Sequence, residues 1–326
     1  MFHSPSARIG RRGLLALALS AAATRHALAQ SWPERPIKMI VPFPPGGGAD
    51  NAARAFGEKL ASLLGQAIVI DNRPGASGNI GAELVARAQP DGYTLLFGNE
   101  FLSTNPAVFR SLRYDSVRDF VPVARVASSA SVFAVHPSVP AKTLQELIAL
   151  ARTKTLNYAS PGVGTGPHLY GQLLALKTGA KLNHVPYKGT APAMSDTVGG
   201  QVDFIISTAA PMVPYVQSGK LRALAVTGAQ RSTDLPEVPT VLETGVISDP
   251  YDVWYGLLAP AGVPRAVLAK LQQASEQALR DPDLVARLNK AGYDVRVETP
   301  EQFGAEIKGG MERWVRVVQQ ANIERQ

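Results

Sequence analysis

Pro36-Ile37-Lys38-Met39-Ile40-Val41 runs into Pro42-Phe43-Pro44-Pro45-Gly46-Gly47-Gly48-Ala49-Asp50, and that loop runs into Asn51-Ala52-Ala53-Arg54-Ala55-Phe56. An apolar run of strand length, a Pro/Gly loop and a helical pattern, in that order, make a strand–loop–helix unit. Ala53, Phe56, Leu60 and Leu63 keep helical spacing out to Leu64, and Gly65 supplies the stop. Working outward, Ala67–Ile70 reads as a second strand and Ile80–Ala88 as a helix closed before Pro90. Tyr93–Phe97 reads as a third strand. The βαβαβ order predicts a parallel sheet with helices on both faces.

A second α/β set follows. Ser131–His136 reads as a strand leading out of the first unit, and Thr143 with Glu146 forms a capping box for a helix over Leu144–Ala151. Strands are then expected at Leu156–Ala159, Leu182–Val185, Val202–Ile206 and Leu221–Thr227. Helices are expected at His168–Leu176, Pro192–Val198 and Pro211–Gln217. Trp254–Ala259 looks like a return strand, after which the pattern is purely helical. Pro264 opens one helix, Pro282 behind Asp281 another, and Thr299-Pro300 with Gln302 a third, which repeats Phe303, Ile307, Trp314, Val318 and Ala321 on one face. Without a sheet of its own, this block must pack on the first unit. The expectation is two α/β lobes joined by two crossings, near 131–136 and 250–256: lobe 1 from 30–132 plus 254–326, lobe 2 from 133–253. No fixed-period repeat is present.

The chain has 326 residues, 45% hydrophobic and 18% charged, with mean hydropathy near zero. That composition excludes low-complexity disorder, and no apolar run reaches the roughly 18 residues of a membrane span. Cysteine is absent, which removes disulfides, thiol nucleophiles and cysteine-ligated metals. Arg8, Arg11 and Arg12, the apolar Leu14–Ala23 and the Ala27-Leu28-Ala29 site make residues 1–29 a signal peptide cut before Gln30. The adjacent arginines suit twin-arginine export as well as the general secretory route; either way the product is expected in the periplasm. Subtracting the four arginines of that segment leaves 29 basic against 26 acidic residues, a net charge of +3. No basic cluster with interleaved aromatics supports nucleic-acid binding.

Three loops share one design: Phe43 to Asp50, Ser160-Pro161-Gly162-Val163-Gly164-Thr165-Gly166-Pro167-His168, and Tyr187-Lys188-Gly189-Thr190-Ala191-Pro192-Ala193. Each joins the C-terminal end of an expected strand to a helix N-terminus, the edge where open α/β sheets bind ligands. Glycines let the backbone approach closely, and the free N–H groups of the first helical turn favour an anion. A tight turn with a good cap would explain any one of them. Three, divided between two lobes, point instead to an anionic small molecule held in a cleft. Gly46-Gly47-Gly48 lacks the Lys-Ser/Thr of a phosphate loop. Gly162, Gly164 and Gly166 lack the spacing and the downstream acid of a dinucleotide loop.

Nothing marks catalysis. His136, His168 and His184, the histidines beyond residue 29, lack metal-ligand spacing, and no Gly-x-Ser-x-Gly elbow exists. No catalytic residue, metal or cofactor is expected. His184 reads as structural; His168 opens a helix beside a Gly loop and can face a ligand or the core. Asp50 reads as the cap of the Asn51 helix before it reads as a ligand contact. Lys188 either meets a carboxylate or points to solvent, and Phe43 either lines the pocket or packs under the loop. Tyr187 reads as packing and Arg73 as an ion-pair partner.

At these loops the sequence resembles the Bug-type, TctC-like substrate-binding proteins of tripartite tricarboxylate transporters. The matching segments include Val41–Gly47, Asp71–Gly75 with Gly78–Gly81, Pro90–Leu96, Pro186–Gly189, Leu224–Thr227, Leu235–Thr240, and Trp254–Leu257 with Ala259-Pro260. They cover most of the chain beyond residue 29. The resemblance implies a type II periplasmic binding protein that closes two lobes on a carboxylate, gripped largely by backbone N–H groups and water. Carried over by position, Gly46, Gly47, Gly189, Thr190 and Ala191 are the anchors, and Thr165 and Ser207 are wall residues. At Gly98-Asn99-Glu100-Phe101 relatives commonly carry small or hydroxyl residues; Glu100 there would repel a second carboxylate and favour an amine or neutral end.

The function implied is capture of a small carboxylate for delivery to the membrane components of such a transporter, by a monomer. Two rivals are a ligand-sensing subunit on the same fold, separable by gene neighbours, and an exported enzyme, separable by turnover of a bound acid.

Overall fold

The structure, a computed structural model, describes residues 32–326; the segment 1–29, expected to be a signal peptide, lies outside the described residues. Strands β1 (Ile37–Val41), β2 (Ile68–Asn72) and β3 (Thr94–Asn99) interleave with helices α1 (Gly48–Leu64) and α2 (Asn79–Ala86). β1 lies between the other two strands and runs parallel to both, as the βαβαβ order predicts. Gly65 closes α1 at φ +68°, a left-handed position suited to glycine.

The second lobe repeats the scheme with β5 (Leu156–Ser160), β6 (Leu182–Pro186), β7 (Phe204–Thr208) and β8 (Arg222–Val226). Its helices are α4 (Leu144–Thr153), α5 (Gly166–Thr178), α6 (Thr190–Val198) and α7 (Ala209–Gln217). β5 is parallel to both β6 and β7.

Two long strands join the lobes. β4 (Phe120–Val135) is antiparallel to β9 (Asp252–Pro260) from Phe120 to Ala130, then to β7 and β8 from Ser131 onward. β9 also pairs with β3. The strand path is β2-β1-β3-β9-β4-β7-β5-β6, with β8 on β4. β4 therefore changes strand partners at Ala130/Ser131, and β9 begins at Asp252.

Two elements were not anticipated. The first eleven residues of β4 include Pro122 and the small polar pair Ser128-Ser129, which hide a strand pattern. Helix α3 (Phe101–Val108) contains Pro106 and is buried at every position except Pro106, so it shows no apolar stripe of helical period.

Helices α8 (Arg265–Leu279) and α9 (Pro282–Lys290) pack against α1, and α10 (Pro300–Gln320) packs against α3 and β4. The C-terminal block thus sits on lobe 1. Asp281 caps α9 by accepting the Leu284 N–H, and Thr299 with Gln302 forms the full reciprocal box on α10. Phe303, Ile307, Trp314 and Val318 are buried along one face. Phe303 lies so close to β9 that a Cβ on Gly256 would stand 2.3 Å from its ring. Among the described residues, no helix is long and apolar enough to cross a membrane.

Candidate functional site

Helix α1 begins at Gly48, three residues before the expected Asn51, so Gly47 takes the cap position and Asp50 falls in the first turn. Asp50 does not cap by its side chain. It folds back on its own loop: Oδ2 accepts the Gly46 N–H at 3.0 Å, and Oδ1 accepts the Asn72 amide at 2.9 Å. Asn72 also donates to the Phe43 carbonyl. Burial alone would push the Asp50 carboxyl up, but hydrogen bonds from Arg54, Gly46 and Asn72 outweigh it and hold it below the usual carboxylate range. Gly46, at φ +81°, turns the chain where a side chain would be strained.

The loop before α5 is held from below. The Thr165 hydroxyl donates to the Gly162 carbonyl at 2.7 Å, and Nδ1 of His168 accepts the Gly164 N–H at 3.1 Å. The His168 ring stacks on His184 with centroids 4.0 Å apart, and His184 Nε2 meets the Ser160 hydroxyl at 2.7 Å. Burial pushes the two imidazoles down, to about 4 for His168 and about 3 for His184. Both rings are therefore neutral at physiological pH and act as loop supports.

At α6, Gly189 sits at φ +118° and donates to the Pro161 carbonyl at 2.9 Å. A Cβ there would lie 3.2 Å from the Pro44 ring of the other lobe, so the two lobes meet at this point. The Thr190 and Ser207 hydroxyls are hydrogen-bonded at 3.0 Å. Tyr187 donates to Asp196 and Lys188 is exposed.

These loops close on one cavity of about 520 Å³, open mouth included. Lobe 1 contributes Phe43, Pro44, Pro45, Gly47, Gly48, Ala49, Asn99 and Glu100; lobe 2 contributes Pro161, Thr165, Pro167, Gly189, Thr190, Ala191 and Thr208; Val253 and Tyr255 of β9 complete it. Helices α1, α3, α5, α6 and α7 all begin at this cavity. Of the expected site residues, Phe43, Gly47, Thr165, Gly189, Thr190 and Ala191 line it. Gly46, Asp50, His168, Lys188 and Ser207 stand behind or outside the lining, the first three as loop supports and Ser207 as the partner of Thr190.

Gly48, Thr208 and Tyr255 were not singled out from the sequence. A Cβ on Gly48 would lie 2.5 Å from the Tyr255 hydroxyl, so glycine is needed for α1 to come this near β9. Thr208 ends a strand and starts a helix, the same signal that marked the other loops. Tyr255 carries no local signal.

Among the described residues, no Lys, Arg or His lines the cavity. The positive potential must come from first-turn N–H groups that have no partner within their own helices. Glu100 is 3% exposed, and its Oε1 accepts the Gly166 N–H at 3.3 Å. Burial raises its carboxyl to about 7, against the pull of the Glu100 and Gly166 amides and the nearby Tyr251 phenol.

Two α/β lobes, two crossings and a cleft rimmed by helix N-termini define a binding protein that closes on a small ligand. Residues 52–323 match the family described as the tripartite tricarboxylate transporter family receptor, TctC, and the chain belongs to that family. It is 36% identical over 300 residues to protein BugT of Bordetella pertussis, covering 91% of this chain and 92% of that one. A Rhodopseudomonas palustris protein solved with adipate superposes with a TM-score of 0.87 at 33% identity, over 90% of this chain and 100% of that one. MatC of the same organism, solved with bound malate, gives 0.84 at 33% identity, over 88% and 100%.

Proposed function

We propose that this chain is an extracytoplasmic solute-binding protein that captures a small carboxylate between its lobes for a tripartite tricarboxylate-type transporter. The observation that carries the reading is the convergence of the α1, α5 and α6 N-termini, from both lobes, on a cavity that no basic side chain among the described residues lines. Backbone amides then hold the anion, each hydrogen bond to the charged group contributing about 1.5–3 kcal/mol. The adipate and malate complexes of its relatives fit a carboxylate ligand.

Lobe 1 comprises residues up to Ala130 together with the chain from Asp252 onward, and lobe 2 the segment between; the change of strand partners within β4 supports this division. Binding closes the lobes and presents a joint surface to the membrane components. The protein works as a periplasmic monomer, released from the signal segment 1–29 after Sec or Tat export, and performs no chemistry on its ligand.

A thermal-shift panel of carboxylates on protein freed of co-purified ligand tests this. A ligand at 100 times its dissociation constant adds about 2.7 kcal/mol and raises the midpoint by a few degrees. A dose-dependent rise with one class of acid is expected. A panel of acids without effect on verified ligand-free protein would overturn the reading.

A further inference from the structure

We propose that Glu100 sets the charge of the ligand's far end, so that the cleft prefers a monocarboxylate whose other end donates a hydrogen bond, neutral or cationic, over a dicarboxylate. The inference rests on the reading of the cleft as a carboxylate site. Glu100 lines the same cavity as the starts of α1 and α6, and it is 3% exposed. Its Oε1 takes the Gly166 N–H. The chain's own carboxyl thus occupies the amide that opens α5, leaving α1 and α6 to grip a ligand carboxylate.

The other oxygen, Oε2, is buried beside the Tyr251 hydroxyl, which pulls the Glu100 carboxyl down, and neither atom completes a hydrogen bond of normal geometry. A buried acceptor with no donor is costly, and a ligand N–H or O–H brought to it recovers that cost. A ligand carboxylate brought to the same place meets a like charge, which two carboxyl groups tolerate only by sharing a proton. Among the described residues, no basic side chain lines the cavity to compensate.

The groups around Glu100 fix the pH behaviour. Tyr251 and Tyr255 face it from the second crossing and β9. In the cavity on its other side lie Arg125 of β4, Asp252 of β9, and Glu306 and Arg313 of α10. Arg125 is paired with Glu298 and Glu306, so it does not neutralise Glu100. With its carboxyl raised to about 7, Glu100 is charged in mild alkali and protonated in mild acid. A dicarboxylate then enters with uptake of a proton, whereas an amine-ended ligand favours the ionised carboxylate.

The test is titration calorimetry with matched sets of equal chain length, each a dicarboxylate, its ω-amino acid and the plain monocarboxylate, on wild type and Glu100→Gln. Gln keeps an acceptor for the Gly166 N–H. At about pH 8 the wild type binds the ω-amino acid roughly a hundredfold more tightly than the dicarboxylate, and Glu100→Gln collapses that ratio. On the wild type alone, dicarboxylate affinity rises about tenfold per pH unit as pH falls toward 7, with proton uptake visible in buffers of different ionisation heat. Dicarboxylates that bind the wild type as tightly as ω-amino acids, without proton uptake, overturn the proposal and leave the carboxylate site standing. Absence of binding by every acid to both proteins overturns the carboxylate reading and this inference together.

Discussion

The Thr227 hydroxyl donates to the Tyr251 carbonyl at 2.5 Å, and the same oxygen accepts the Ser131 N–H at 2.8 Å. The Thr227 backbone adds two more bonds, its N–H to the Ser131 carbonyl and its carbonyl from the Tyr251 N–H, both 2.8 Å. Ser131 is where β4 changes strand partners, and Tyr251 directly precedes β9. One fully buried threonine just beyond β8 therefore ties β4 and the approach to β9 at a single point.

Thr227→Val keeps the shape and removes the side-chain bonds, leaving the Ser131 N–H without this acceptor and the Tyr251 carbonyl without this donor. The expected cost is about 1–3 kcal/mol, read as a lower urea midpoint at unchanged slope. Thr227→Ser should recover most of it. A valine variant as stable as wild type would show that the joint contributes nothing.

Asp50 holds the loop ahead of α1 through Gly46 and Asn72. Asp50→Ala frees the Gly46 N–H and the Asn72 amide, and is expected to weaken acid binding as well as to lower stability by about 1–3 kcal/mol. The Arg54 pair adds little, since its guanidinium is half exposed. Because the folded-state carboxyl lies below its unfolded value, its contribution is present above about pH 4 and is lost as pH falls through the folded pKa. Stability of the Asp50→Asn variant should depend less on pH in that acid range, which denaturation at a series of pH values will show.

The strands were legible as short apolar runs between turn residues, β3, β7 and β9 included although they are buried at nearly every position, and most helices by an exposed face that gives their polarity a period. Helix α3 is buried on nearly all sides and lost that period, and Pro122 with Ser128-Ser129 hides the strand pattern at the start of β4. The loops at α1, α5 and α6 were legible because glycine and proline cluster where the backbone turns between strand and helix at the cavity. The helix starts lay two or three residues earlier than propensity suggested, since Gly48, Gly166 and Thr190 are held helical by the cleft around them. Tyr255 and Thr208 reach the site through pairing between distant strands, which no local pattern records. Asp50 and His168 were correctly placed beside the loops, yet their side chains turn inward, and only the hydrogen-bond partners reveal that direction.

The stacked imidazoles of His168 and His184 and the carboxyl of Glu100 oppose each other in acid. Both histidines titrate below their unfolded value of about 6.5, so their stabilising contribution is present above that value and is lost as pH falls toward the folded values of about 4 and 3. Glu100 runs the other way: its folded value of about 7 makes its contribution complete below its unfolded value and lost as pH rises toward 7. Between about pH 5 and 6 two protons are gained on unfolding and one is released, so stability should fall by about 1.4 kcal/mol per unit of acidification. Glu100→Gln should steepen that slope and His184→Gln should flatten it. Identical slopes in the three proteins would remove these groups from the account of acid stability.

Gly47 and Gly48 separate contact with a ligand from packing of the fold. Gly47 has an ordinary extended conformation, φ −85° and ψ 173°, and a Cβ there would meet only the Pro44 carbonyl at 3.7 Å. Gly47→Val should therefore fold with stability within about 1 kcal/mol of wild type, while its side chain stands at the start of α1. Acid binding is expected to weaken at least about tenfold, or 1.4 kcal/mol. Gly48→Ala instead drives a methyl group into the Tyr255 hydroxyl at 2.5 Å, so stability and affinity should fall together. Gly189 is the poorer probe, because its positive φ adds strain to any substitution. Calorimetric titration with the tightest acid, paired with denaturation of each variant, makes the comparison. Wild-type affinity in Gly47→Val would mean that the α1 amides are not the anchor and that the anion is held from lobe 2.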